Sequence, residues 1–128
     1  MLHSPYKHHK NVFGQELVLN LYDCDFKIIT SKKEIHKFVV ELCDDVIKMK
    51  RYGKAFIPNF GHDNPITSGY SLVQLIETST ITAHFSDLKR SVYLNIFSCA
   101  WFDADKTAAY CKKFFKAKRI EQHLQIRT

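Results

Sequence analysis

Residues 69–99 read GYSLVQLIETSTITAHFSDLKRSVYLNIFSC, and this stretch decides the fold. Three runs rich in β-branched and aromatic residues, 70–76, 80–85 and 92–98, are separated by short polar turns. That pattern predicts an antiparallel meander. Outward from it, ELVLNLY at 16–22 predicts a further strand with Asp23 to Asp25 as its polar exit. AFIPNF at 55–60 is short and strand-like, GHDNPITSG at 61–69 carries turn formers and reads as a loop, and 120–127 predicts a closing strand.

Two segments have the other period. Ser31 and Glu34 form a capping box, after which Ile35, Phe38, Val39, Leu42, Val46 and Ile47 recur at helical spacing to about Arg51. Asp103 or Asp105 caps a second helix through about Lys116, burying Ala108, Cys111, Phe114 and Phe115 on one side. The order β-α-β-β-β-β-α-β has too much strand for a parallel crossover fold. It predicts an α+β protein, a two-layer α/β sandwich in which an antiparallel sheet carries two helices packed on one face. The other face must be solvated, or be covered by a dimer partner or a ligand site.

With 128 residues, 45% of them hydrophobic, the chain has material for one core. Residues 1–13 lack periodicity and predict a flexible N-terminal tail, whose His3, His8 and His9 bind metal only adventitiously; 14–128 predict a single domain. No apolar run reaches the length of about 18 that a membrane span needs, and MLHSPYKHHK has no apolar signal core, so a cytoplasmic protein is expected. Cys24, Cys43, Cys99 and Cys111 form no CxxC pair, which fits reduced thiols and no metal site. The net charge of +6 raises nucleic-acid binding. Much of the excess sits in the N-terminal tail (Lys7, Lys10), at Lys48, Lys50, Arg51 and Lys54 and again at 112–119, where helices end and lysines favour the dipole, so that role is disfavoured.

The residue types that carry chemistry are Ser71, Ser79, His84 and Cys99, all within the meander. A hydroxyl, an imidazole and a thiol offer a nucleophile, a base and an acid. The bland reading makes Ser79 a turn residue, His84 a sheet-face histidine and Cys99 a small core residue. On residue types and spacing alone, both stand.

From 69 to 119 the chain resembles, without a gap, the C-terminal half of the prokaryotic S-adenosylmethionine decarboxylase proenzymes. The resemblance puts the serine that becomes a pyruvoyl group on Ser79, the processing histidine five residues later on His84 and the catalytic cysteine twenty residues later on Cys99. An accessory processing serine falls on Ser71, eight residues before Ser79. The family's Phe-Thr-Cys is Phe97-Ser98-Cys99, and Tyr22-Asp23-Cys24-Asp25 resembles its Tyr-Glu-Cys-Asp. What the resemblance implies is a self-cleaving, pyruvoyl-dependent lyase that converts S-adenosylmethionine to the aminopropyl donor of spermidine synthesis. Ser79 attacks the Thr78 carbonyl, and the chain breaks between Thr78 and Ser79 with His84 as base and Ser71 in support. The pyruvoyl ketone then forms a Schiff base with the substrate and acts as electron sink, and Cys99 reprotonates the product. Tyr22 and Asp23 are the implied substrate-binding residues, and a homodimer of processed chains is the implied assembly.

Three motifs depart from the family. The Glu-Ser-His at cleavage is Thr78-Ser79-Thr80, the Trp-Pro-Glu that holds the ribose hydroxyls is Ser86-Asp87-Leu88, and an adenine-stacking aromatic is Pro65. Two alternatives therefore stay open: the same chemistry on ornithine or arginine, and an unprocessed homologue that serves as a partner subunit.

Overall fold

The computed structural model describes residues 11–128. The tail expected over 1–13, with His3, His8 and His9, lies almost wholly outside the described residues. At its end, Phe13 donates a backbone hydrogen bond to the Arg127 carbonyl (2.8 Å) and stacks on Phe97.

The strands are β1 (Gly14–Tyr22), β2 (Asn59–Phe60), β3 (Gly69–Ile76), β4 (Ser79–Ser86), β5 (Ser91–Ser98) and β6 (Arg119–Arg127). The helices are α1 (Phe26–Ile29), α2 (Lys32–Glu41) and α3 (Ala104–Phe115). The strands form one six-stranded sheet in the order β2-β3-β4-β5-β1-β6, every pair antiparallel. This is the expected α+β sandwich.

Period-two alternation sorts the sheet's side chains into two faces. Leu17, Leu19 and Leu21 of β1, Ile81, Ala83 and Phe85 of β4, and Val92, Leu94 and Ile96 of β5 are buried under the helices. There Phe38 of α2 meets Phe115 of α3 (centroids 4.6 Å apart), and Phe115 in turn meets Phe85 of β4 (5.7 Å). Phe38 and Phe115 are fully buried, so Phe38→Ala should cost about 3–5 kcal/mol through lost transfer energy and an unfilled cavity, read from urea unfolding of the two proteins.

The helices differ from expectation in three respects. A third, one-turn helix, α1, follows β1 because Asp25 accepts from the Lys27 amide (2.9 Å) and caps it. α2 starts at its predicted cap, Ser31 accepting from the Glu34 amide (3.1 Å), but it does not run on to Arg51. After Glu41 it widens into a single π turn, Leu42–Val46, and the chain leaves it through Lys48 in the left-handed conformation (φ 54°). Arg51 turns back to hold Asp44 with two bonds of 3.1 and 3.2 Å, and the widened exit delivers Met49 to the end of the sheet. α3 is capped by Asp103, and its Phe114 is half-buried rather than enclosed like Ala108, Cys111 and Phe115.

The face away from the helices is open. Each row across it can be read from the register: Ser71, His84, Tyr93, Asn20 and Glu121 lie side by side on β3, β4, β5, β1 and β6. The next row is Val73, Thr82, Asn95, Val18 and His123. Val73 and Leu75 are exposed, though both are apolar.

Candidate active site

Ser79 opens β4 and is buried, because its side chain faces the helix layer. Its register partner is Ser98, the last residue of β5, and their hydroxyls are 2.7 Å apart. The Met49 thioether lies against both, 3.5 Å from Ser79 and 3.4 Å from Ser98. Ile76 pairs with Ser79, so Glu77 and Thr78 alone make the β3–β4 turn. Thr78 takes φ 64°, left-handed backbone that a β-branched residue rarely adopts and that costs on the order of 1–3 kcal/mol. The strained residue is the one whose carbonyl precedes Ser79. That carbonyl accepts a 3.2 Å hydrogen bond from the backbone amide of Cys99, and Cys99 itself is exposed just beyond β5.

Ser71 and His84 face each other on the open side, Ser71 Oγ lying 3.2 Å from His84 Nδ1. His84 borders a cavity of about 340 Å³ lined also by Ile66, Thr67, Lys89 and Tyr93. The meander thus assembles two groups, Ser79 with Ser98 next to the Thr78–Cys99 backbone contact, and Ser71 with His84, and holds them apart within one chain. His84 follows Ser79 by five residues on the same strand, which is roughly 16 Å at about 3.3 Å per residue. The odd separation also sends the two side chains to opposite faces.

Tyr22 ends β1 on the open face. Its hydroxyl donates to Glu121 (2.6 Å), the Arg119 guanidinium lies 4.0 Å from the ring centroid, and Tyr93 meets it edge-on. The hydrogen bond between them raises the Tyr22 phenol and lowers the Glu121 carboxyl. Asp23, also left-handed (φ 54°), turns away into a separate polar groove of about 580 Å³ with Asp25, Lys27, Arg90, Lys116 and Lys118.

Pro65 and Leu88 line one cavity of about 360 Å³. Residue-type reasoning overlooked one aromatic there. Phe26, half-exposed on α1, supplies an aromatic face with Arg90 5.4 Å over it. Asp87 lines the same cavity; its Oδ1 is buried without a partner, and burial raises its carboxyl pKa. β4 stops at Ser86, so strand alternation does not fix where Asp87 points. Gly14 was overlooked as well: a Cβ there would stand 2.4 Å from the Ser98 carbonyl oxygen and 3.3 Å from Cys99 Cα. Gly14→Ala should therefore displace the Ser98–Cys99 backbone, visible as altered amide chemical shifts at those residues.

Cys24, Cys43 and Cys111 are buried thiols whose pKa burial pushes up, to about 12 for Cys24 and Cys43, so they are poor thiolates. Among the described residues no cluster of three or more His, Cys, Asp or Glu is arranged to hold a metal ion. None of the described helices is long and apolar enough to cross a membrane.

One α+β sheet thus carries hydroxyls, an imidazole and an exposed thiol, with a hydroxyl beside a strained peptide, and these are the group types that nucleophilic and acid–base enzymes use. Residues 15–128 match the family model described as S-adenosylmethionine decarboxylase. The chain belongs to that family, whose members are pyruvoyl-dependent lyases of polyamine biosynthesis, and its activity is S-adenosylmethionine decarboxylation. The fold is similar to the crystal structure of the adenosylmethionine decarboxylase from Aquifex aeolicus VF5, with a TM-score of 0.74 over 91% of each chain and 17% sequence identity. No curated protein matches the sequence.

Proposed function

We propose that the chain matures by cutting itself between Thr78 and Ser79, and that the pyruvoyl group left at residue 79 serves the decarboxylation of S-adenosylmethionine. The observation that carries this reading is the Cys99 amide on the Thr78 carbonyl (3.2 Å) at a left-handed Thr78, beside the Ser79 hydroxyl. An amide donor there stabilises negative charge on the carbonyl oxygen as Ser79 Oγ attacks. In the shift, the Oγ–C bond forms, the C–N bond breaks and the hydroxyl proton ends on the freed nitrogen. A base then removes the Ser79 α-proton, the Cβ–O bond breaks, and Thr78 leaves as a carboxylate. Water replaces the nitrogen of the resulting dehydroalanine, and ammonia departs. The residues present fit this origin of the group, which supplies an electron sink for the carbanion. Cys99 Sγ, exposed at the same strand end, delivers the proton to the substrate carbon.

His84 is the base in this reading, and it acts across a dimer. Within one chain it lies far from Ser79, whereas a second copy packed on the open face brings the Ser71–His84 pair of one protomer to the Ser79 end of the other. Val73 and Leu75, apolar and exposed on that face, favour its burial. Co-expressing Ser79→Ala with His84→Ala tests this: mixed dimers should cleave the His84→Ala chain, which alone stays intact. A monomer by sedimentation, or no cleavage in the mixture, would count against the dimer site.

Asp87 takes the place of the missing ribose-binding glutamate, and Phe26 that of the missing aromatic. Asp87→Asn should raise KM for S-adenosylmethionine about tenfold or more with processing unchanged. Four cysteines without a disulfide support a cytoplasmic setting.

A further inference from the structure

We infer that Ser98 is a positioning residue for self-cleavage: its hydroxyl holds the proton of Ser79 and aims the Ser79 lone pair at the Thr78 carbonyl. The inference rests on the reading of Ser79 as the attacking nucleophile.

A hydroxyl has one proton to give. Ser98 Oγ lies 2.7 Å from the Ala100 carbonyl oxygen and accepts from the Ala100 amide at 2.9 Å. Its alternative acceptor, the Met49 sulfur, is 3.4 Å away and weaker. The Ser98 proton is therefore committed to Ala100, which leaves Ser98 an acceptor toward Ser79. Ser79 Oγ, 2.7 Å away, donates to it in preference to the same sulfur at 3.5 Å. Ser98 is fully buried, so water does not compete for this bond.

The consequence concerns direction. With its proton drawn across to β5, Ser79 Oγ keeps its lone pairs for the neighbouring peptide. The carbonyl of that peptide is held by the amide of Cys99, the residue that follows Ser98. One strand end thus fixes both reactants of the acyl shift, the nucleophile through a side chain and the electrophile through the backbone. Ser98 itself gains and loses nothing in the step; the proton of Ser79 moves to the departing nitrogen as the C–N bond breaks.

The experiment compares Ser98→Thr with Ser98→Val, two side chains of the same shape that differ by the hydroxyl. Cleavage of freshly translated full-length chain is followed by intact mass. Ser98→Thr should process at near the parent rate, and Ser98→Val about tenfold or more slowly, the loss expected for one hydrogen bond between buried groups. Hydroxylamine cuts esters and spares amides, so it should leave slow Ser98→Val chains whole, because the ester has not formed. Equal rates for the two variants would overturn the inference, since the hydroxyl would then not matter. So would rapid hydroxylamine cleavage of Ser98→Val, which puts the defect after the shift. A parent chain that never cleaves would instead overturn the reading of Ser79 on which this rests.

Discussion

Ser79→Ala should remain a single chain of 15.0 kDa, with no fragment beginning at residue 79 and no release of carbon dioxide from S-adenosylmethionine. The reason is chemical rather than structural. Alanine keeps the Cβ that β4 packs there and removes only the oxygen that attacks the Thr78 carbonyl, so the amide has no route to the ester. The Thr78 turn and the Cys99 amide stay in place, which means that strain and polarisation alone should not break the bond. Loss of turnover should be complete to the limit of the assay, because the electron sink is never made. The variant should fold, since the change deletes one buried hydroxyl and leaves the Ser98 hydroxyl bonded to Ala100. Intact mass together with circular dichroism checks both halves of the expectation. Cleavage at residue 79 in this variant would remove the basis for the proposed maturation.

Cys99→Ala should separate the two activities. The Cys99 group that touches the Thr78 carbonyl is its backbone amide, which alanine retains, so cleavage should proceed at close to the parent rate. The thiol is the group proposed to reprotonate the substrate carbon, and removing a positioned acid typically costs about 10²–10⁴-fold in rate. The expected result is a fully processed protein whose kcat has fallen by that factor while KM changes little. Equal loss of processing and turnover would mean that the side chain supports the strand end instead, and normal turnover would require another acid.

Much of the fold was legible along the chain because β3 to β5 alternate apolar and polar residues at period two and their turns are short. The stop of α2 was not: Leu42, Val46 and Ile47 keep helical spacing, but the widened turn and left-handed Lys48 follow from where Met49 and Arg51 must go, which periodicity does not encode. α1 was hidden for another reason, since four residues are too few for a period to register. At the site, spacing could name Ser71, Ser79, His84 and Cys99 as residue types, yet their grouping depends on strand register. The register sets Ser71 opposite His84 and Ser79 opposite Ser98, and five positions along one strand carry His84 away from Ser79.

By itself the sequence determined the antiparallel sheet, the helix start at Ser31, that of the last helix at Asp103 or Asp105, and the residues capable of the chemistry, because these depend on local alternation, caps and side-chain types. Only the tertiary structure decided that the Ser98 hydroxyl lies 2.7 Å from that of Ser79 and that the Cys99 amide holds the Thr78 carbonyl. It alone brought Phe26 and Pro65 beside Asp87 and Leu88. Those contacts join residues far apart in the chain across strand ends and turns, where no repeating pattern records which backbone and side-chain atoms will meet.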